Sequence, residues 1–328
     1  MKRRVLILKP RLDLPFKRFG LKVAGKQIEP IRVHWQNFVD KLHEYHVMRH
    51  DKVVIVEEER WKFNNLLIDY YAPDIAYIPH TDKKTFMGQD ENDVCRYYMQ
   101  TVFPWLFTID KEGWGGNASH AKAGWEVAPD EDRTFNTFRE RAYRGESKFE
   151  QPTGNFVNNI GDYIFVPLQL PHDETIRYHS NLKVVTWAVK LMDWTYENRI
   201  NLVFKNHPAN PGSLEDVRQF TKRMDNCYFI DHEVNIHSLF KQAKAIYVIN
   251  SGSAKEAMLH DVPIVRFGRA DYNFAVTEGD INDLDRTWQK VLNLSTDTMK
   301  ENYRTFYNWF INRICYDSTN IGSFLKLR

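Results

Sequence analysis

Cysteine is scarce in this chain: Cys95, Cys227 and Cys315 are the three among 328 residues, and they lie far apart. That spacing argues against a disulfide framework and a thiolate zinc site, and it fits a reducing compartment. Long apolar runs are also missing. The basic start at residues 1–4 leads only into the apolar residues 5–8. That run is too short for a signal-peptide core and far short of a membrane span. A cytoplasmic protein is expected, with room for peripheral contact at a membrane surface. Net charge is small, at +2, and internal repeats and low-complexity tracts are absent. The first half has no Asp-x-Asp metal motif at a strand end. Asp90-Glu91 and Glu57-Glu58-Glu59 have the right chemistry for ligands, but acidic strand ends are ordinarily just solvated. No metal is therefore expected.

What remains is soluble and globular in character, with 43% hydrophobic and 27% charged residues. The length allows one large or two ordinary domains. The small net charge conceals an uneven distribution, because residues 1–26 hold nine Lys or Arg against Asp13 alone. Such a tract is either a solvated face or a contact for a polyanion such as nucleic acid, acidic glycan or anionic lipid. Arg11, Lys17 and Arg18 are its expected acceptor contacts. Aromatics make up 14% of the chain, and Trp105, Trp114 and Trp125 share one segment. Rings beside cations can stack on sugars or bases, and rings can equally fill core.

The hydrophobic pattern divides near residue 150. Before it, residues 5–8, 52–58 and 75–78 read as short strands, and residues 30–47 carry Ile31, Trp35, Phe38, Val39 and Leu42 at helical spacing. Strand-helix-strand order implies a parallel sheet. Residues 110–155, rich in Gly, charge and aromatics, read as loops and a linker. The alternation then restarts: strand 163–168, a helix within 174–197, strand 201–205, helix 213–224, strand 228–230, helix 235–243, strand 246–249, helix 254–260 and strand 263–267. The last forty residues, with Trp288, Leu292, Tyr303, Phe306, Trp309 and Phe310, read as helices crossing back. The expected fold is α/β: two Rossmann-like, doubly wound domains facing a cleft. The expected domains are residues 1–150 on the acceptor side, 151–285 for nucleotide binding, and a helical 286–328.

Three motifs of the second half lie at strand carboxyl ends, where open α/β sheets bind ligands. The first runs from Gln169 through Asp173 to Thr175 and Ile176. The second is Lys205-Asn206-His207-Pro208, in which the proline holds His207 out of helix and leaves it placed to donate to a phosphate. The third is Asn250-Ser251-Gly252-Ser253 with Glu256, small residues opening a helix whose free N–H groups suit an anion. Glu256 can cap that helix or reach a ribose hydroxyl. Taken singly, each motif reads as a capped helix or a structural histidine. Together they converge on one edge.

The order Gln-x-x-x-Asp-x-Ser/Thr-Ile, then Lys-x-His-Pro, then Asn/Ser-Ser-x-x-x-x-Glu-Ala and a following Pro-Ile/Val-Val resembles the capsule polysaccharide biosynthesis family. The resemblance covers residues 160–280 well and the first half loosely. It implies a retaining β-Kdo-type glycosyltransferase of GT-B architecture using a CMP-activated sugar. Gln169, Asp173, Lys205, His207, Ser251, Gly252, Ser253 and Glu256 would then bind the nucleotide-sugar donor. His207 and the serine turn would stabilise the departing phosphate. The family's acid, glycine and aromatic are matched here by Glu112-Gly113-Trp114, where Gly115-Gly116-Asn117 replaces the Arg-Ser that often follows in relatives. Glu112 is the expected base or nucleophile, and Asp110 is its alternative. No cofactor beyond the CMP- or UDP-sugar substrate is expected, and Lys, His and helix dipoles would replace a metal.

The resemblance points to a capsule or lipopolysaccharide-type glycan as acceptor. The basic tract points equally to DNA, on which a phage enzyme would glycosylate hydroxymethylated pyrimidines in the host cytoplasm, stacking a flipped base on Trp114. Trp114 and Asn117 join Arg11, Lys17 and Arg18 as expected acceptor contacts. A nucleotide-sugar epimerase and a non-catalytic sugar-nucleotide-binding protein complete the alternatives.

Overall fold

The computed structural model describes residues 2–11, 24–88, 93–123, 133–208, 211–231 and 233–327. It divides into two compact units, Met1–Ala123 with Phe310–Arg328, and Gly124–Trp309. Each has its own sheet and its own core.

In the first unit, β1 (Arg4–Pro10) leads through α1 (Ala24–Met48) to β2 (Lys52–Glu58), then through α2 (Leu66–Tyr71) to β3 (Ile75–Pro79). After α3 (Lys83–Met87) come β4 (Cys95–Gln100), β5 (Leu106–Asp110) and α4 (Ser119–Ala123). The sheet order is β12-β5-β4-β3-β1-β2, with β12 (Cys315–Asp317) contributed by the end of the chain. Pairings among β1 to β4 are parallel, while β5 runs antiparallel to both β4 and β12. Side chains alternate across a strand, so β1 serves two cores. Val5 and Ile7 pack under α1 with Trp35, Phe38, Val39 and Leu42, while Leu6 and Leu8 meet Ile68, Phe86 and Met87 on the other face. This two-sided burial is why the strand is a continuous apolar run.

The second unit opens with α5 (Arg133–Tyr143) and alternates β6 (Tyr163–Pro167), α6 (Glu174–His179), α7 (Val184–Glu197), β7 (Asn201–Lys205), α8 (Glu215–Thr221) and β8 (Cys227–Ile230). It continues with α9 (Ile236–Phe240), β9 (Ala245–Val248), α10 (Ser253–Met258), β10 (Ile264–Arg266) and β11 (Thr277–Glu278). The helices α11 (Leu284–Leu292) and α12 (Thr296–Trp309) close it. Every pairing is parallel and the order is β11-β10-β9-β6-β7-β8. Numbered within the unit, that is the 3-2-1-4-5-6 order of a doubly wound nucleotide-binding sheet, and the order reverses between β6 and β9.

Three expectations need correction. The boundary falls at residue 123/124, not near 150, because α5 is tied into the second unit: Arg139 donates to the Leu259 carbonyl and pairs with Asp261. The last helices do not form one returning segment. Leu284 and Val291 of α11 bury in the second core, and Tyr303 of α12 donates to the Val262 carbonyl, so only residues from Phe310 onward rejoin the first unit. The helix expected within 174–197 is two helices, interrupted where Ser180 turns extended and its hydroxyl accepts from the Leu182 N–H. Among the described residues, no helix is long and apolar enough to cross a membrane.

Candidate functional site

The three motifs of the second unit follow β7, β6 and β9, which are neighbours in one parallel sheet, so their loops share its carboxyl edge. The β6 and β9 loops flank the point where strand order reverses. A reciprocal amide pair joins them: Gln169 Nε2 donates to Asn250 Oδ1 at 3.0 Å, and the Asn250 N–H donates to Gln169 Oε1 at 3.1 Å. Asn250 Nδ2 reaches on to the Thr175 carbonyl at 2.9 Å. Gln169 thus positions the turn, with its amide already spent. Asp173 caps α6, accepting from the Thr175 N–H at 2.8 Å.

The serine turn is held from several sides. Ser251 Oγ and Ser253 Oγ lie 2.7 Å apart, and the Ser251 carbonyl accepts from the Tyr272 hydroxyl at 2.7 Å. Gly252 is exposed between them. Beneath, Lys255 and Asp271 form a buried ion pair at 2.6 Å. Glu256 points away from solvent, 5% exposed, and accepts from the Ser147 hydroxyl at 2.5 Å and from the Lys148 backbone N–H. Burial pushes its carboxyl up to about 7, against those hydrogen bonds and the nearby Lys148 charge. A ribose contact expected of Glu256 is thus replaced by a loop clasp. His237 Nε2 is 3.7 Å from the same carboxylate, and burial lowers that imidazole to about 4, so it stands there uncharged near neutral pH.

On the β7 side, Lys205 does not present a free ammonium. It donates to the Asp231 carbonyl at 2.8 Å, is 6% exposed, and is lowered to about 8 by burial. It ties β7 to the end of β8. His207 is half-buried, its ring edge-on to Phe149 with centroids 5.6 Å apart. Phe149, Ser147 and Lys148 belong to the α5–β6 connection, within the stretch 110–155 expected to hold functional loops and a linker. Among the described residues, no three His, Cys, Asp or Glu side chains group as metal ligands.

The expected acidic loop lies in the first unit, at the carboxyl end of β5. Asp110 Oδ1 accepts from the N–H groups of Glu112, Gly113 and Ser119 at 2.7, 3.2 and 3.0 Å. Its Oδ2 accepts from the Ser119 hydroxyl at 2.6 Å and lies 3.3 Å from His120 Nδ1. Burial alone would raise this carboxyl, but the His120 and Ser119 hydrogen bonds win and hold it at about 2. Asp110, proposed from sequence as an alternative catalytic acid, is the hub that folds the loop. Glu112 is half-buried, and its carboxylate makes no hydrogen bond or ion pair among the described residues. Gly113 passes so near Asp82 that an added Cβ would lie 2.6 Å from the Asp82 Cβ, and its φ of +157° also suits glycine.

The expected acceptor contacts fare unevenly. Trp114 is 5% exposed and packs edge-on against His80, which removes it as an open stacking surface of this unit. Asn117 spends its amide on Asp82 at 2.7 Å. Arg11 is exposed. Lys17, Arg18 and Lys22 of the basic tract lie outside the described residues, as do Asp90, Glu91 and Trp125.

Known proteins resemble this chain in sequence and in fold. The capsule polysaccharide modification protein LipB of Neisseria meningitidis is 24% identical over 167 residues, covering 48% of this chain and 38% of LipB. The capsule polysaccharide export protein KpsS of Escherichia coli is 27% identical over 121 residues, covering 34% of this chain and 31% of KpsS. The matches therefore span well under two thirds of either relative. Among solved structures, the β-Kdo 2,7 transferase of Thermosulfurimonas dismutans KpsC aligns with a TM-score of 0.53 at 12% identity, covering 99% of this chain and 98% of that one. The β-Kdo 2,4 transferase of the same organism gives 0.53 at 12% identity, over 93% of this chain and 90% of that one. These are likenesses of fold. The model of the capsule polysaccharide biosynthesis protein family matches residues 117–305, more than half of the chain, and the chain belongs to that family.

Proposed function

We propose that the chain is a metal-independent glycosyltransferase of GT-B type that moves a sugar from a nucleotide donor, a CMP-activated acidic sugar first among candidates, onto a capsule or lipopolysaccharide-type glycan. The observation that carries the reading is the meeting of the Gln169, His207 and Ser251–Ser253 loops on one sheet edge, at the reversal of strand order. His207 and the serine hydroxyls are the donors for the departing phosphate. Glycosyl transfer also needs a carboxylate at the anomeric carbon or the acceptor hydroxyl. We assign Glu112, because its carboxylate is uncommitted whereas Asp110 is consumed by its own loop.

The names of the similar proteins, capsule modification and Kdo transfer, support a glycan over a DNA acceptor. Among the described residues, no observation favours DNA. The test pairs a thermal-shift screen of CMP-, UDP- and GDP-sugars with a transfer assay on capsule oligosaccharides, since a specific donor stabilises the fold by mass action. His207→Ala is expected to weaken donor binding. Glu112→Gln is expected to keep donor binding and abolish turnover. Activity is expected to survive EDTA. Failure of every nucleotide sugar to stabilise the chain would sink the reading.

A further inference from the structure

The connection between α5 and β6 crosses the same sheet edge. Among its fixed points are Ser147, whose hydroxyl holds Glu256 of α10, and Phe149, whose ring packs on His207 after β7. Lys148 lies between them in sequence, on a segment anchored on one side to α10 and on the other to the His-Pro loop. Asp173, Glu256 and Asp271 act on its charge favourably and Lys255 unfavourably. Yet its ammonium donates no hydrogen bond and makes no ion pair among the described residues. Each nearby group is otherwise engaged: Asp173 caps α6, Glu256 accepts from Ser147, and Asp271 is paired with Lys255. A half-buried lysine left without a partner beside two phosphate-donor loops has the chemistry of an anion contact.

We infer that Lys148 is the cation that meets the phosphate of the bound nucleotide, opposite His207 and the serine turn. The inference rests on the donor site proposed above and adds the one charge that site lacks, since Lys205 is tied to Asp231 and Lys255 to Asp271. It also gives binding a pH dependence. Burial lowers the Lys148 ammonium to about 8, so its charge is lost as pH rises through that value. Of the groups facing it, Glu256 is raised to about 7 by burial, so its carboxyl gains charge over the range in which the ammonium begins to lose it.

The test is calorimetric titration of the full chain with CMP, UDP, GDP and the phosphate-free nucleoside cytidine. Lys148→Met is expected to weaken the best nucleotide monophosphate or diphosphate by about tenfold or more, as loss of a charged hydrogen bond implies. Cytidine binding is expected to be unchanged, which a collapse of the loop would not permit. Lys148→Arg is expected to restore nucleotide binding, and to abolish the loss of affinity above pH 8 expected of the wild type. If the wild type binds no nucleotide, the donor-site reading falls and this inference with it. If the wild type binds and Lys148→Met binds equally well, or loses cytidine in parallel, only the role of Lys148 is overturned.

Discussion

At the scale of single residues, the two acids brought forward by the motifs have opposite environments, and pH separates them. Asp110 is held at about 2 against an ordinary 3.8, so its contribution is present above 3.8 and lost as pH falls through 2. The shift corresponds to about 2 kcal/mol. Asp110→Asn is expected to lower the stability of the first unit by that order at pH 7, with the gap between variant and wild type closing toward pH 2, as followed by denaturant unfolding. Glu256 runs the other way. Its folded value near 7 exceeds the ordinary 4.5, so its contribution is full below 4.5 and lost as pH rises through 7. The difference between Glu256→Gln and wild type is expected to grow by about 3 kcal/mol in favour of the variant between pH 4.5 and 7.5. His237 and His260, whose depressed values act in the opposite direction, are present in both proteins. An unchanged difference across that range would refute the burial of a neutral carboxyl. Neither environment was legible in sequence. A motif shows that an acid is present, but the donors around Asp110 come from a loop folded back on it. The Ser147 that clasps Glu256 is more than one hundred residues away along the chain.

At the scale of elements, strands with a continuous apolar run were legible and strands interrupted by polar residues were not. β6, β7 and β9 stand at or within a residue or two of their expected positions, because a parallel strand covered on both sides has an apolar centre, as at 202–204 of β7. β4 and β5 went unread: CRYYMQ and LFTID carry polar residues that alternation does not organise, and their burial depends on neighbours remote in sequence. The carboxyl-edge turns were legible as small polar residues after apolar runs, but their function within the edge was not. Gln169 looked like a ligand contact and is a clamp on Asn250. Gln169→Ala is expected to leave the Asn250 amide oxygen and backbone N–H without their partners. The loss should be about 1–3 kcal/mol of stability for each buried group stranded. It should appear as faster hydrogen exchange confined to residues 249–253 and to the start of α6, where Asn250 holds the Thr175 carbonyl. Exchange spread evenly over the second unit would mean that the pair carries no local role.

At the scale of the molecule, alternating strands and helices announced two doubly wound halves, but not which half owns the chain end. Residues from Phe310 return to the first unit, where β12 pairs with β5 from Cys315 to Asp317. Beyond it, Phe324 is fully buried against Phe38 and Tyr316, and Tyr45 donates its hydroxyl to the Leu327 carbonyl at 2.6 Å. These contacts close the core under α1, which the first 123 residues leave open. Removing residues 310–328 is therefore expected to uncover Phe38 and the β5 edge, and to lower the melting of the first unit. Truncating a large buried aromatic such as Phe324 alone costs about 3–5 kcal/mol. The second unit loses no strand of its sheet and no member of its core by this deletion. Thermal unfolding of the truncated chain should thus split into an early transition and a later one, and only the later one should rise when a nucleotide that binds the full chain is added. A single transition shifted as a whole would show that the returning segment stabilises both units together, and that the two cores do not unfold independently.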